Sequence, residues 1–232
     1  MRVLIVHAHH EPKSFNAAMT DTAVRTLRAA GHEVVVSDLY AQGFDPVSDR
    51  RNFTTVADAA VLKQQAEEAL ASAEGGFAPE LAAEIEKLDW CDVLILQFPI
   101  WWLGPPAILK GWIDRVFAVG VAYGGGRWFD RGRLKGKRAM CAVTVGGGAD
   151  VYSDRGVYGA IKNILYPLHR GVFAFTGLEV VEPFVVYAPN RIDAAERAAW
   201  LARYEHRLLD LDGAPKIPGP DMAEFDGLVR RR

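Results

Sequence analysis

The first forty residues contain the pattern that most restricts the fold of this chain. Residues 2–7 form a continuous apolar run, which is typical of a strand buried on both faces of a parallel sheet. A polar loop follows, in which Ser14 or Asn16 can cap a helix, and Gly31 suits the end of that helix. Residues 33–37 form a second apolar strand. Because strand, helix and strand follow one another, this segment predicts a parallel βαβ unit with a right-handed crossover.

The same alternation continues along the rest of the chain. Further strands are predicted at residues 92–98, 138–145 and 178–187. Pro167 is expected to kink one of the further helices, which are predicted at residues 56–74, 79–88, 106–119, 157–175 and 193–211. Five strands that alternate with helices predict an α/β protein, a flavodoxin-like doubly wound sheet of five parallel strands with helices on both faces.

The predicted elements also divide the chain. Residues 1–211 carry all of them and are predicted to form one domain, whereas residues 212–232 are rich in proline and glycine and predict an extended tail. The tail is either a disordered end or an arm that crosses a partner subunit. The apolar residues that would anchor such an arm are Ile217, Met222, Phe225, Leu228 and Val229.

Composition and charge exclude several classes of protein. The 232 residues carry a net charge of −2 at pH 7, so there is no basic excess of the kind that binds nucleic acid. No targeting segment is visible and no apolar run is long enough to span a bilayer, so we expect a cytoplasmic protein without membrane insertion. Cys91 and Cys141 lie beside or within apolar strands and are predicted to be buried, reduced thiols. Because cysteines and histidines show no ligand spacing, no metal site is predicted.

The loop after the predicted strand 92–98 is the most informative feature for function. It is rich in proline and glycine, contains the adjacent pair Trp101 and Trp102, and leads into a helix near Pro106. In open parallel sheets, ligands bind outside the carboxyl ends of the strands. A wide aromatic pair in that position suits a flat, conjugated ligand, and flavin is the natural candidate. The alternative is that both tryptophans are ordinary core residues.

The loop after the first strand carries hydrogen-bond donors before a helix. A helix N-terminus offers free N–H groups and a positive dipole end, which suit a phosphate, and His9, Lys13, Ser14 and Asn16 add side-chain donors. The loop matches neither GxGxxG nor GxxxxGK[ST], which argues against a dinucleotide fingerprint of that type and against nucleoside triphosphate hydrolysis. The alternative is a capped loop with surface histidines.

A glycine-rich loop follows the predicted strand 138–145. Thr144 and Val145 lead into three glycines that let the backbone approach a ligand closely. Tyr152 and Tyr158 follow, and a phenol there can donate a hydrogen bond to negative charge on a flavin or a quinone oxygen. The alternatives are a plain tight turn and half-buried tyrosines with satisfied hydroxyls.

These segments together resemble the NAD(P)H:quinone oxidoreductase family, the DT-diaphorase-like flavoproteins, over residues 1–211. The order and spacing of four pieces carry the resemblance: AH at 8–9 with SFN at 14–16, SDLYA at 37–41, FP…W…G…PAILKGW…RVF within 98–117, and GG…YS…G…G…IL…P within 146–167. The resemblance implies a homodimer with two active sites at the subunit interface. It also implies that a hydride passes from NAD(P)H through bound FAD to quinones or similar flat aromatic acceptors, with ping-pong kinetics.

The resemblance assigns roles to individual residues. Catalysis falls to Tyr152, Tyr158 and Gly146, and the substrate pocket to Tyr123, Phe175 and Trp102, with Tyr123 reaching the neighbouring subunit's site. Cofactor binding falls to His9, Ser14, Phe15, Asn16, Pro99, Ile100, Trp101, Trp102, Leu103, Thr144, Val145, Gly146, Gly147, Tyr152 and Arg197.

This chain departs from the family pattern at three positions. Tyr158 stands where the family has its catalytic histidine, and a free phenol has a pKa of about 10, so relay through an imidazolium is lost. Gly125 stands near a second pocket tyrosine of some members, and Trp101 stands where the family has glutamine. These changes concern acceptor preference more than flavin binding.

Three alternatives to this function remain at the level of the sequence. An enzyme with FMN in place of FAD could reduce azo or nitroaromatic compounds. A flavoprotein regulatory subunit of a potassium-efflux system would need no turnover. An electron-transfer flavodoxin is disfavoured, because the net charge of −2 provides no strongly acidic docking face.

Overall fold

The computed structural model describes residues 1–231, which form a six-stranded sheet with helices on both faces and a separate two-stranded sheet. The strands are β1 (Arg2–His7), β2 (Glu33–Asp38), β3 (Val93–Pro99), β4 (Arg138–Val145), β5 (Glu179–Tyr187) and β6 (Lys216–Ile217) in the first sheet, and β7 (Phe225–Asp226) and β8 (Val229–Arg230) in the second. The α-helices are α1 (Phe15–Ala29), α2 (Gln64–Glu74), α3 (Pro79–Trp90), α4 (Ala107–Val116), α5 (Ile161–Ile164) and α6 (Ala194–Leu209), and residues Pro167–Ala174 form a π-helix.

The main sheet has the order β2-β1-β3-β4-β5-β6. Strands β1 to β5 are parallel, which confirms the predicted doubly wound fold, and the order reverses beside β1, where such folds bind ligands. The sixth strand is an addition to the five predicted. It is antiparallel to β5 and comes from the segment predicted as a tail, where Ile217 pairs with Val180.

Two apolar cores lie on opposite faces of the sheet. On one face, α1 and α6 cover residues of β1 and β3 such as Ile5 and Ile95. On the other face, α2, α3, α4 and the π-helix cover the alternate residues, such as Leu4 and Leu94, and the fully buried Trp112 of α4 packs in the same core. Both Cys91 and Cys141 are buried and unpaired, as predicted. Within residues 1–231, no helix combines the length and the apolar character needed to cross a membrane.

Two helix predictions are wrong at their starts. Helix α2 begins at Gln64 rather than at residue 56, because the buried Glu67 carboxylate accepts the backbone N–H groups of Ala57 and Asp58 and holds that segment as a loop. The helix predicted from residue 157 begins only at Ile161, since Gly159 adopts a left-handed conformation with φ of +74°. Its second half is π-helical, which periodicity in the sequence does not distinguish from an α-helix.

Candidate functional site

A cavity of about 480 Å³ opens at the carboxyl edge of the sheet, between the loops that follow β1, β3, β4 and β5. This is the edge at which parallel α/β sheets bind ligands. The predicted site residues that line it are His9, Ser14, Phe15, Asn16, Pro99, Ile100, Trp101, Thr144, Val145 and Gly146. The three loops that were predicted to bind a ligand, after β1, β3 and β4, therefore meet at one cavity, and the loop after β5 joins them.

The N-terminus of α1 forms one end of this cavity. Ser14 caps the helix through its Oγ, which accepts the backbone N–H of Ala17 at 3.1 Å, and no acidic side chain lies in the first turn. Lys13 adds a positive charge to the lining, and Glu11, whose Oε1 accepts the Lys13 N–H at 2.8 Å, adds a negative one, so the helix N-terminus is the main anion-binding feature. His9 accepts the Glu11 N–H at Nδ1, and burial, with the adjacent His10, lowers the pKa of its imidazole. This end of the cavity suits an anion such as a phosphate.

The tryptophan loop is a tight turn held by two hydrogen bonds between Trp101 and Gly104, of 2.9 and 3.0 Å. Its two central residues, Trp102 and Leu103, have φ of +52° and +57°, a left-handed conformation that is strained in residues other than glycine. The ring centroids of Trp101 and His10 are 5.6 Å apart, and Trp101 lines the cavity. Trp102 is fully exposed and Leu103 is about half exposed, and neither lines the cavity within one chain.

The glycine loop after β4 and the two tyrosines pack against one another. A side chain at Gly147 would bring its Cβ to 2.7 Å from Val151 and 3.2 Å from the Tyr152 ring, so the backbone lies directly on that tyrosine. The Tyr152 and Tyr158 ring centroids are 5.2 Å apart. Burial raises the pKa of Tyr152, with Tyr158 adding to the effect, and the phenol therefore stays protonated at neutral pH. Tyr158 is half exposed.

Tyr123 and Phe175 lie together but away from this cavity. Their ring centroids are 5.8 Å apart, and Phe175 also contacts Trp128 and Phe129. Both Tyr123 and Phe175 line a separate cavity of about 220 Å³ beside α4. A single chain therefore does not bring the predicted substrate residues into the first cavity, and their assignment to the substrate pocket stays a prediction.

The loop after β5 completes the cavity and was missed from the sequence. It contributes Ala188, Pro189 and Asn190, and Ala188 has φ of +46°. The Arg197 side chain reaches this loop, with Nη1 at 3.4 Å from the Pro189 carbonyl oxygen. The sequence could have identified this loop by its position, because it follows a predicted parallel strand and therefore lies at the same edge as the other three loops.

Comparisons with known proteins are consistent with this geometry. Residues 1–208 match a family model described as having the flavodoxin-like fold. The guinea pig (Cavia porcellus) protein named NAD(P)H dehydrogenase (quinone) 1 is 41% identical over 208 residues, covering 89% of this chain and 76% of its own length. The human protein named ribosyldihydronicotinamide dehydrogenase (quinone) is 38% identical and covers 94% of each chain. A crystal structure from Klebsiella pneumoniae, assigned as a quinone reductase, superposes with a TM-score of 0.90 at 41% identity over 94% of this chain and 87% of that one.

Proposed function

The chain belongs to the family with the flavodoxin-like fold, and on that basis we propose that it is a flavin-dependent oxidoreductase that transfers a hydride from NAD(P)H to quinones or similar flat aromatic acceptors. The observation that carries the proposal is the cavity at the carboxyl edge, which combines a helix N-terminus, an aromatic loop and a glycine loop. The names of the relatives, quinone dehydrogenases at about 40% identity, support the same activity.

The residues of the cavity fit a flavin. The free N–H groups at the start of α1, together with Lys13, suit phosphate oxygens, and Trp101 provides an aromatic wall for a ring. Gly146 lines the cavity without a side chain, so the backbone of the glycine loop can approach a ring held there. Arg197 beside Pro189 extends the site and supports FAD rather than FMN, because the longer cofactor needs partners beyond its first phosphate.

In this proposal the protein positions both reactants and stabilises charge. A bound flavin supplies the hydride acceptor and donor. Asn16 and Thr144 form a buried floor under the cavity, linked by a hydrogen bond of 2.7 Å from Nδ2 to Oγ1. Tyr152 holds a proton beside the glycine loop and can donate a hydrogen bond to negative charge that develops there. NAD(P)H and the acceptor occupy one pocket in turn, which gives ping-pong kinetics.

An anaerobic titration tests the function. We expect the purified protein to be yellow, NADPH or NADH to bleach its visible absorbance in one step, and a benzoquinone to restore it. Mass spectrometry of the released cofactor should identify FAD. Release of FMN would overturn the choice of cofactor but not the activity.

One further result would contradict the enzymatic function, and another would contradict the proposed kinetic scheme. A yellow protein that neither NADPH nor NADH bleaches would favour the regulatory flavoprotein considered above. Initial-rate plots are expected to give parallel lines, whereas intersecting lines with a demonstrated ternary complex would exclude the ping-pong scheme.

Exposed apolar residues on a strained turn support a homodimer with the active sites at the interface. Trp102 is fully exposed beside the cavity, and a large apolar side chain in that position is typical of an interface. We expect the wild type to be a dimer in light scattering and Trp102→Asp to be a monomer. Leu209→Asp, an exposed position at the end of α6, is the matched control and should remain a dimer. A Trp102→Asp protein that stays dimeric would exclude this turn from the interface.

A further inference from the structure

A buried line of polar side chains connects the floor of the cavity to α6. Tyr204 donates its hydroxyl to Gln97 Oε1 at 3.3 Å, and Gln97 Nε2 donates to Asn16 Oδ1 at 2.9 Å. Asn16 Nδ2 then donates to Thr144 Oγ1 at 2.7 Å. Tyr204 and Gln97 are fully buried, and Asn16 and Thr144 are at most 5% exposed. Each partner along this line is therefore a protein group rather than water.

The oxygen and nitrogen of a side-chain amide can be exchanged by a half-turn rotation, which would reverse donor and acceptor along this line. The direction of the line therefore needs a physical cause. Met19 fixes the orientation of the Gln97 amide, in the middle of the line. Its Sδ lies 3.6 Å from Gln97 Nε2 and can only accept a hydrogen bond. Reversing the Gln97 amide would place its oxygen against that sulfur. Tyr204 also fixes the direction, because it must donate to Gln97. Its ring packs on Phe184, and its hydroxyl has no other partner within residues 1–231. If Tyr204 accepted instead, its proton would be buried without an acceptor.

The direction determines what Thr144 presents to the cavity. Its Oγ1 accepts from Asn16, and within the described residues its hydroxyl proton has no protein acceptor. The proton is therefore available to a ligand in the cavity that Thr144 lines. The oxidised flavin ring offers N1, O2, O4 and N5 as acceptors and only N3–H as a donor.

We propose that Tyr204, Gln97 and Asn16 are positioning residues that act in one direction, so that Thr144 faces the cavity as a hydrogen-bond donor and selects an acceptor edge of the flavin. This inference rests on the proposed function for the identity of the ligand, but the direction of the line is a property of the protein alone. Tyr204 does not line the cavity, and its hydroxyl hydrogen-bonds no cavity residue, so it reaches Asn16 and Thr144 through Gln97.

The first test uses the full chain without flavin. We expect Tyr204→Phe to shift the side-chain amide resonances of Asn16 in ¹⁵N–¹H NMR spectra, although Asn16 shares no hydrogen bond with Tyr204, because Gln97 loses one of the hydrogen bonds that orient it. Tyr166→Phe removes a phenol that is 59% exposed and outside the line, and should leave these resonances unchanged. Unchanged Asn16 resonances in Tyr204→Phe would overturn the inference.

The second test measures coupling to the ligand in a double-mutant cycle. We expect Tyr204→Phe to weaken FAD binding about threefold, the size of one modest hydrogen bond, in both the wild type and the hydroxyl-retaining Thr144→Ser background. In Thr144→Val, which has no hydroxyl to orient, the effect of Tyr204→Phe should disappear. The same loss in all three backgrounds, measured by quenching of flavin fluorescence, would reduce Tyr204 to a structural role and overturn the inference.

The two tests also separate this inference from the proposed function. A wild-type protein that binds neither FAD nor FMN would refute the proposed function, and the NMR result would still decide the direction of the line. If Thr144→Val does not fold, the NMR comparison of Tyr204→Phe with Tyr166→Phe still decides whether the line has the proposed direction.

Discussion

Replacing Glu84 with alanine is expected to lower the free energy of unfolding by about 3–5 kcal/mol, because it leaves several buried donors without their acceptor. Glu84, on α3, is only 3% exposed. Its Oε2 accepts Ser37 Oγ and Trp112 Nε1, each at 2.8 Å, and its Oε1 accepts Lys87 Nζ at 2.5 Å. One carboxylate therefore ties together β2, α3 and α4. Because α4 follows directly after the tryptophan loop, the loss of this anchor is also expected to loosen one wall of the cavity.

Urea denaturation followed by circular dichroism measures this change. Glu86→Ala is the matched control, because Glu86 lies on the same helix with its side chain exposed and should change stability by no more than about 0.5 kcal/mol. A loss below about 1 kcal/mol for Glu84→Ala would mean that burial of the carboxylate cancels the benefit of its hydrogen bonds.

The position of the site could be predicted from the sequence because it depends on local patterns. The apolar runs define parallel strands, and the carboxyl ends of parallel strands meet at one edge. The helix cap at Ser14 and the glycines after β4 are also local signals, and the structure places Ser14, Gly146 and Trp101 around one cavity. The family resemblance added roles for these residues, which the geometry of one chain does not by itself assign.

What could not be predicted depends on contacts between distant segments. Asn16 and Gln97 are 81 residues apart, and Gln97 and Tyr204 are 107 apart, so their line exists only through the register of the sheet and the packing of α6. The late start of α2 has a different origin, because the Glu67 side chain accepts backbone N–H groups nine and ten residues earlier, in a segment whose composition favours a helix. There a side-chain hydrogen bond overrides local propensity.

Tyr152→Phe is expected to slow hydride transfer about 100-fold, because it removes a buried, preorganised hydrogen-bond donor beside the glycine loop. The phenol is only 8% exposed and packs on the glycine loop at Gly147, so no water molecule can readily take its place. Tyr158→Phe is the matched control. Its phenol is 49% exposed, and water can replace its hydrogen bond, so we expect less than a tenfold loss. Stopped-flow measurement of NAD(P)H-dependent bleaching gives both rates, and equal losses would remove the distinction between the two tyrosines.

The pH dependence of the bleaching rate is a second test of Tyr152 as a hydrogen-bond donor. Burial raises the pKa of Tyr152, which means that the phenol holds its proton more tightly than a free tyrosine with a pKa of about 10. The donor form is therefore present below the raised pKa and is lost only as the pH rises through it. We expect the rate of bleaching in the wild type to stay level up to about pH 10 and to fall above it, and the fall to be absent in Tyr152→Phe. A wild-type rate that declines well below pH 10 would assign the titration to another group, because an exposed phenol and a buried one would both still be protonated there.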